Sequence, residues 1–275
     1  AADMGFDFRS GRLDKTHHPF ASSLGRNDVR IAIDYLPHDF LISISSCLHE
    51  VGHALYDLGL PQGRKGTPLG EAVSYGLHES QSKLWENLVG RSRAYSSYLY
   101  RIIQESFKDQ IIGESPDNLW LRCNSVAPGL IRVKADEVTY SLHVVIRMLR
   151  EEELVSGALK VADLPQAWNA LYLKYLGISP SSDKDGVLQD VHWYSGAVGY
   201  FPSYALGNLY SALFMRAARK SLPDLDQQVE AGEFKPLLNW LRVNVHSQGM
   251  RYSGKELVEK VSGEKLGADP FIEYI

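Results

Sequence analysis

A helical repeat of apolar residues with two histidines set into it, one turn apart, constrains this chain more than any other feature. From Asp39 to Leu58, the residues Phe40, Ile44, Cys47, Leu48, Val51, Leu55 and Leu58 recur at three- and four-residue spacing, and Gly59 and Pro61 follow. This period places the apolar side chains on one helix face, and the Gly and Pro supply its stop. Inside the repeat stands His49-Glu50-Val51-Gly52-His53. Residues four apart on a helix project from the same face, so both imidazoles can reach one ion while Glu50 lies beside them. That pattern suits hydrolysis. Zinc would bring the pKa of its water down to about 7 and polarise a carbonyl, with Glu50 as the general base that carries the proton to a leaving amine.

A catalytic zinc site uses three protein ligands and keeps one position open. A second helical pattern, from about Glu71 to Leu88, carries His78 and Glu79, two candidates for the third ligand. Glu79 lies far enough beyond His53 for a helix end, a turn and an antiparallel return, which would bring it to the metal. Asp57, one turn after His53, is a candidate partner for the second nitrogen of that imidazole. A helix-end carboxylate facing solvent accounts for Asp57 equally well.

Most of the remaining sequence is also helical in pattern, over residues 92–106, 136–153, 165–176, 202–220, 227–231, 234–245 and 254–262. Two stretches differ. The β-branched run Asp28 to Ile33 predicts a strand, and residues 121–133 carry a strand and turn signal that could pair with it. The expected fold class is therefore mainly α, with one small antiparallel sheet beside the helix that bears the histidines. No fixed-period repeat or low-complexity linker marks a boundary, so residues 1–275 are expected to form a single catalytic domain.

Composition excludes several partners. The net charge is −4 and no block of like charges occurs, which argues against nucleic acid. No apolar run approaches the roughly 18 residues that span a bilayer, and no leader pattern opens the chain, so neither a membrane nor secretion is expected. Cys47 and Cys123 are too few for a disulfide framework and suit a reducing, cytoplasmic compartment. The opening Ala1-Ala2-Asp3 lacks an initiator Met, as a piece of a longer protein would.

The motif does not stand alone. His18-Pro19-Phe20, Asp28-Val29-Arg30-Ile31, His49 to Tyr56, His78-Glu79-Ser80-Gln81, Ile131-Arg132-Val133-Lys134-Ala135-Asp136 and Gly186 to Trp193 follow one another in an order that resembles the M32 carboxypeptidases, the carboxypeptidase Taq family. The resemblance runs from about Gly5 to Ile275. It implies the C-terminal half of a helical, deep-grooved, gluzincin-like metallopeptidase whose N-terminal helical part is missing. It further implies one zinc ion per chain, with cobalt as an alternative, removal of single residues from peptides with a free C-terminus, and a homodimer.

Carried over by residue, the resemblance makes Glu79 the third ligand. Arg132 becomes the first candidate for gripping the substrate's terminal carboxylate, and Arg30 the second, because a guanidinium fork matches a carboxylate. A structural salt bridge, with Asp28 or Asp136 as local partner, is the competing reading. His192 and Tyr204 are candidates for stabilising the oxyanion, and Tyr200 for reaching the terminal carboxylate; packed core tyrosines are the alternative. The chain departs from the family at Ala32, where Thr is usual, which puts substrate preference in doubt. His18 fits a wall or structural role better than a ligand's. Two further readings compete with the exopeptidase: a non-catalytic scaffold or oligomerisation fragment, and a related zinc endopeptidase.

Overall fold

The computed structural model describes residues 1–25, 27–107 and 113–275. Its backbone divides into two compact units, one formed by Ala1–Cys123 with Leu206–Tyr274 and the other by Asn124–Ala205 with Ile275.

The first unit opens with three strands, β1 (Gly11–Lys15), β2 (Phe20–Gly25) and β3 (Asp28–Ile33), in the order β1-β3-β2. β1 runs parallel to β3 and β2 antiparallel to it. The sheet is thus mixed, where a wholly antiparallel one is expected from sequence. β3 buries Val29, Ile31 and Ile33 on one face and packs against α1 (Phe40–Gly59), so the sheet does lie beside the histidine-bearing helix. Residues 121–133 do not join it. Both edges of β3 are already taken by β1 and β2, and the end of this stretch instead forms a 3-10 turn, Arg132–Lys134.

Helix α1 starts where the Asp39 side chain accepts the Ile42 amide, and buries Leu48, Val51, Ala54 and Leu55. α2 (Tyr75–Lys83) begins later than the apolar pattern predicts. The Ser74 hydroxyl accepts the Leu77 amide and fixes the start there, while Pro68–Gly70 forms a separate 3-10 turn. α2 continues as a π-helical segment, Leu84–Val89. α3 (Arg93–Ser106) and α4 (Pro116–Cys123) follow, the latter with Pro at its first position and the Ser115 hydroxyl accepting the Asn118 amide. The core of this unit gathers Leu55, Leu77, Trp85, Phe214, Phe234 and Leu237.

The second unit holds α5 (Glu137–Val155) and α6 (Leu164–Leu176). Asp136 caps α5 by accepting the Thr139 amide at 2.9 Å. Ile146, Trp168, Leu171 and Tyr172 form its main apolar cluster, with Tyr140, Val144 and Phe201 in a smaller one. α7 (Pro202–Ser221) starts in this unit, and from Leu206 on belongs to the first, with α8 (Leu225–Ala231), α9 (Lys235–Asn244), α10 (Gly254–Ser262) and α11 (Asp269–Tyr274). No helix of the chain is long and apolar enough to cross a membrane among the described residues.

Candidate metal centre

Two glycines bring the backbones around the site close together. A Cβ on Gly52, in α1, would lie 2.7 Å from the Gln81 carbonyl oxygen and from Ser82 Cα in α2. A Cβ on Gly207, in α7, would lie 2.7 Å from Glu79 Cβ. Only a residue without a side chain allows either approach, and Glu79 is buried as a result.

On these elements three side chains converge. His49 Nε2 and His53 Nε2 are 3.2 Å apart, His49 Nε2 is 3.7 Å from Glu79 Oε2, and His53 Nε2 is 3.9 Å from Glu79 Oε1. An ion bonded tetrahedrally at about 2.0–2.1 Å would set its ligand atoms about 3.4 Å apart, so this triad fits one ion of zinc's size. The donor set, two imidazole nitrogens and a carboxylate, is also one that zinc accepts.

Each imidazole is held from behind. His49 Nδ1 meets Glu86 Oε2 at 2.8 Å, and Glu86 accepts from Lys83 Nζ at 2.8 Å and Ser45 Oγ at 3.1 Å. His53 Nδ1 meets His78 Nδ1 at 2.6 Å, and His78 Nε2 meets Asp57 Oδ1 at 3.1 Å. Asp57 therefore supports His53 through a second imidazole instead of directly. Glu86, Lys83 and Ser45 carry no motif, although Ser45 stands four residues before His49 and Glu86 seven after Glu79, spacings that share a helix face.

Burial shapes the acid–base properties. Burial lifts Glu50 to about 7; the nearby His49 opposes this and the carboxylates Glu79 and Glu86 add to it. Burial works against a charged His49, but Glu86, by charge and hydrogen bond, more than reverses this and raises it. Burial, together with His78 and His49, holds His53 well below the usual imidazole range. Burial would raise Glu86, yet Lys83 and His49 outweigh it and keep the carboxyl well below its ordinary value. Glu86 is thus held as the carboxylate behind His49, while Glu50 is poised near neutrality.

The sequence profile of the family described as Carboxypeptidase Taq (M32) metallopeptidase matches residues 1–275. The chain belongs to the M32 carboxypeptidase family. It is 47% identical over 272 residues to thermostable carboxypeptidase 1 of Thermus thermophilus, covering 98% of this chain and 53% of that protein. It is 42% identical over 273 residues to carboxypeptidase 1 of Bacillus subtilis, covering 99% and 54%. The crystal structure of an M32 carboxypeptidase from Deinococcus radiodurans R1 is similar with a TM-score of 0.96 and 46% identity, over 99% of this chain and 55% of that one. This M32 chain spans about half the length of the curated relatives it matches.

The other site candidates of the M32 chain fall into two places. Arg30 lies on β3, in the first unit, where its Nε donates to Asp28 Oδ1 at 2.7 Å and its side chain is 43% exposed. Ala32, on the same strand, is buried. Arg132, His192, Tyr200 and Tyr204 all lie in the second unit and sit together there. The Arg132 guanidinium carbon is 4.8 Å from the Tyr204 ring centre, His192 Nε2 is 3.0 Å from the Tyr204 hydroxyl, and Tyr200 packs edge-on to Tyr204. Arg132 is buried and donates from Nε and Nη2 to Asp190 Oδ1, at 2.9 and 2.7 Å, and from Nη1 to the Tyr140 hydroxyl at 3.0 Å. Its ion-pair partner is Asp190; Asp136, the local candidate, is engaged in capping α5. Asp190 also accepts from Arg147 Nε at 2.6 Å.

Proposed function

We propose that this M32 chain carries the metal-binding and catalytic portion of a carboxypeptidase that hydrolyses the last peptide bond of peptides with a free C-terminus. The observation behind the reading is the convergence of His49 Nε2, His53 Nε2 and the Glu79 carboxylate, with Glu50 beside them on the same helix. Zinc is the assigned ion, one per chain, with cobalt as the alternative. A divalent ion held there supplies a Lewis acid and brings the pKa of water towards about 7.

The chain's own groups do the rest. Glu50, with a pKa near 7, takes a proton from the attacking water on a carboxylate oxygen and gives it to the leaving amine. His192 and Tyr204 are assigned to donate to the oxyanion that develops on the carbonyl. Arg132 is assigned to the substrate's terminal carboxylate, with Arg30 and Tyr200 as further candidates; each terminal nitrogen of Arg132 carries a second N–H beyond the bonds described above. As the family resemblance implies, the protein acts as a homodimer, and its two free thiols fit the cytoplasm.

The test joins metal content to product release. Elemental analysis should find about one zinc or cobalt per chain, and Glu79→Gln should lose it, since even outer-shell changes cost about 10–100-fold in affinity. A peptide with a free C-terminus should lose single terminal residues, and its amidated form should not. Equal cleavage of both would favour an endopeptidase; metal without any cleavage would leave a scaffold.

A further inference from the structure

We propose that His78 and Asp57 are positioning residues that dictate which nitrogen of His53 faces the ion. The proposal rests on the metal reading above and concerns the two residues behind that ligand. His53 Nδ1 and His78 Nδ1 are 2.6 Å apart, and two ring nitrogens that close must share a single proton, one donating and the other accepting. The far side of His78 decides which. Its Nε2 lies 3.1 Å from Asp57 Oδ1, and a carboxylate only accepts, so a neutral His78, the form the proposal assigns, carries its one proton on Nε2. A neutral imidazole protonated at Nε2 keeps its lone pair on Nδ1. His78 Nδ1 therefore accepts, and His53 Nδ1–H donates.

That leaves the His53 lone pair on Nε2, the atom that faces His49 Nε2 at 3.2 Å and Glu79 at 3.9 Å. A carboxylate one imidazole away thus sets the ligand's tautomer and, through the hydrogen bond, its basicity. The rings are also fixed in orientation, because the buried Tyr56 packs edge-on to His78 at 5.2 Å. The two ligands are supported in different ways. His49 has its carboxylate, Glu86, in direct contact, whereas on the His53 side an imidazole from α2 is interposed before the carboxylate on α1.

The test is zinc affinity by chelator competition, read for wild type, His78→Leu, His78→Gln, Asp57→Ala and the double variant His78→Leu/Asp57→Ala. His78→Leu should weaken binding about 10–100-fold. His78→Gln, whose amide oxygen can still accept from His53 Nδ1–H, should stay within a few-fold of wild type and keep the metal-free melting temperature, which separates positioning from general damage. The double variant should be no weaker than His78→Leu, because Asp57 acts only through His78. Nitrogen NMR of the zinc form should find the His53 proton on Nδ1. Wild-type affinity in His78→Leu, or losses in the double variant that multiply, would overturn the inference while leaving the metal reading intact. A wild-type protein that binds no zinc would overturn both.

Discussion

In the first unit, His49, His53 and Glu79 approach one another at 3.2 to 3.9 Å, while firm partners hold the imidazoles from behind. In the second unit, Arg132 and Arg147 meet Asp190 face to face at 2.6 to 2.9 Å. Both clusters are largely shielded from water and both are built of ionisable groups, yet one gathers a mixed set of imidazoles and carboxylate and the other two guanidiniums around one carboxylate. The triad brings two imidazole nitrogens and a carboxylate to a common point, a donor set that could hold a divalent ion. The arginine cluster shares one carboxylate between two guanidiniums, and Arg147, fully buried, also lies 4.7 Å over the Trp168 ring. The first cluster offers the donor set of a divalent ion; the second is organised around Asp190, with a second N–H still carried by each terminal nitrogen of Arg132.

Variants can break this contrast in order of effect. Glu50→Gln should keep the metal and lower turnover by about 10²–10⁴-fold, the usual worth of a positioned base; if the metal left with the activity, Glu50 would belong to the ligand set. Asp190→Ala should cost about 3–5 kcal/mol in denaturant unfolding, because it leaves two buried guanidiniums unpaired. Its metal affinity should stay at the wild-type value, since no ligand of the triad comes from residues 124–205. An equal loss in both would erase the distinction between the clusters. Gly52→Ala should cost about 1–3 kcal/mol through forced separation of α1 from Gln81 and Ser82, and should weaken metal binding as Glu79 moves with α2.

The triad was legible because helix geometry is local. A four-residue spacing fixes that His49 and His53 share a face whatever the rest of the chain does, and a return helix with a carboxylate completes the set. The same stripe, extended, holds Ser45 and Asp57, so the sequence contained part of the support as well. His78 between His53 and Asp57 was not legible in that role, because it depends on how closely α1 and α2 approach, and that is decided by Gly52. The sheet was half legible. Asp28 to Ile33 alternates a buried and a less buried face with β-branched residues, whereas β1 and β2, Gly11-Arg12-Leu13-Asp14-Lys15 and Phe20-Ala21-Ser22-Ser23-Leu24-Gly25, are short and polar and owe their form to pairing with β3. Residues 121–133 have strand composition, but Leu121 to Cys123 close α4 and Arg132 and Val133 open a 3-10 turn, so no strand forms there. Asp190 as the partner of Arg132 and Arg147 is a contact between residues distant in sequence, on which no spacing rule bears.

The smallest effect separates the two units by sign. In the metal-free protein, burial raises Glu50 from 4.5 to about 7, so the folded state holds this proton more tightly than the unfolded chain does. The stability from that proton is fully present below pH 4.5 and is lost as pH rises through about 7. In the second unit, burial, with Arg147 and Arg132 nearby, lowers His143 from 6.5 to about 4. Its contribution is present above pH 6.5 and is lost as pH falls through about 4. Across the overlap the two slopes oppose each other. Measured by denaturant unfolding between pH 4 and 7, metal-free Glu50→Gln should gain stability relative to wild type as pH rises, and His143→Gln should gain it as pH falls. Bound cation favours the Glu50 carboxylate and should flatten the first difference while leaving the second unchanged. Slopes of the same sign in both variants, or a metal effect on the His143 difference, would mean that the two units do not titrate as separate environments.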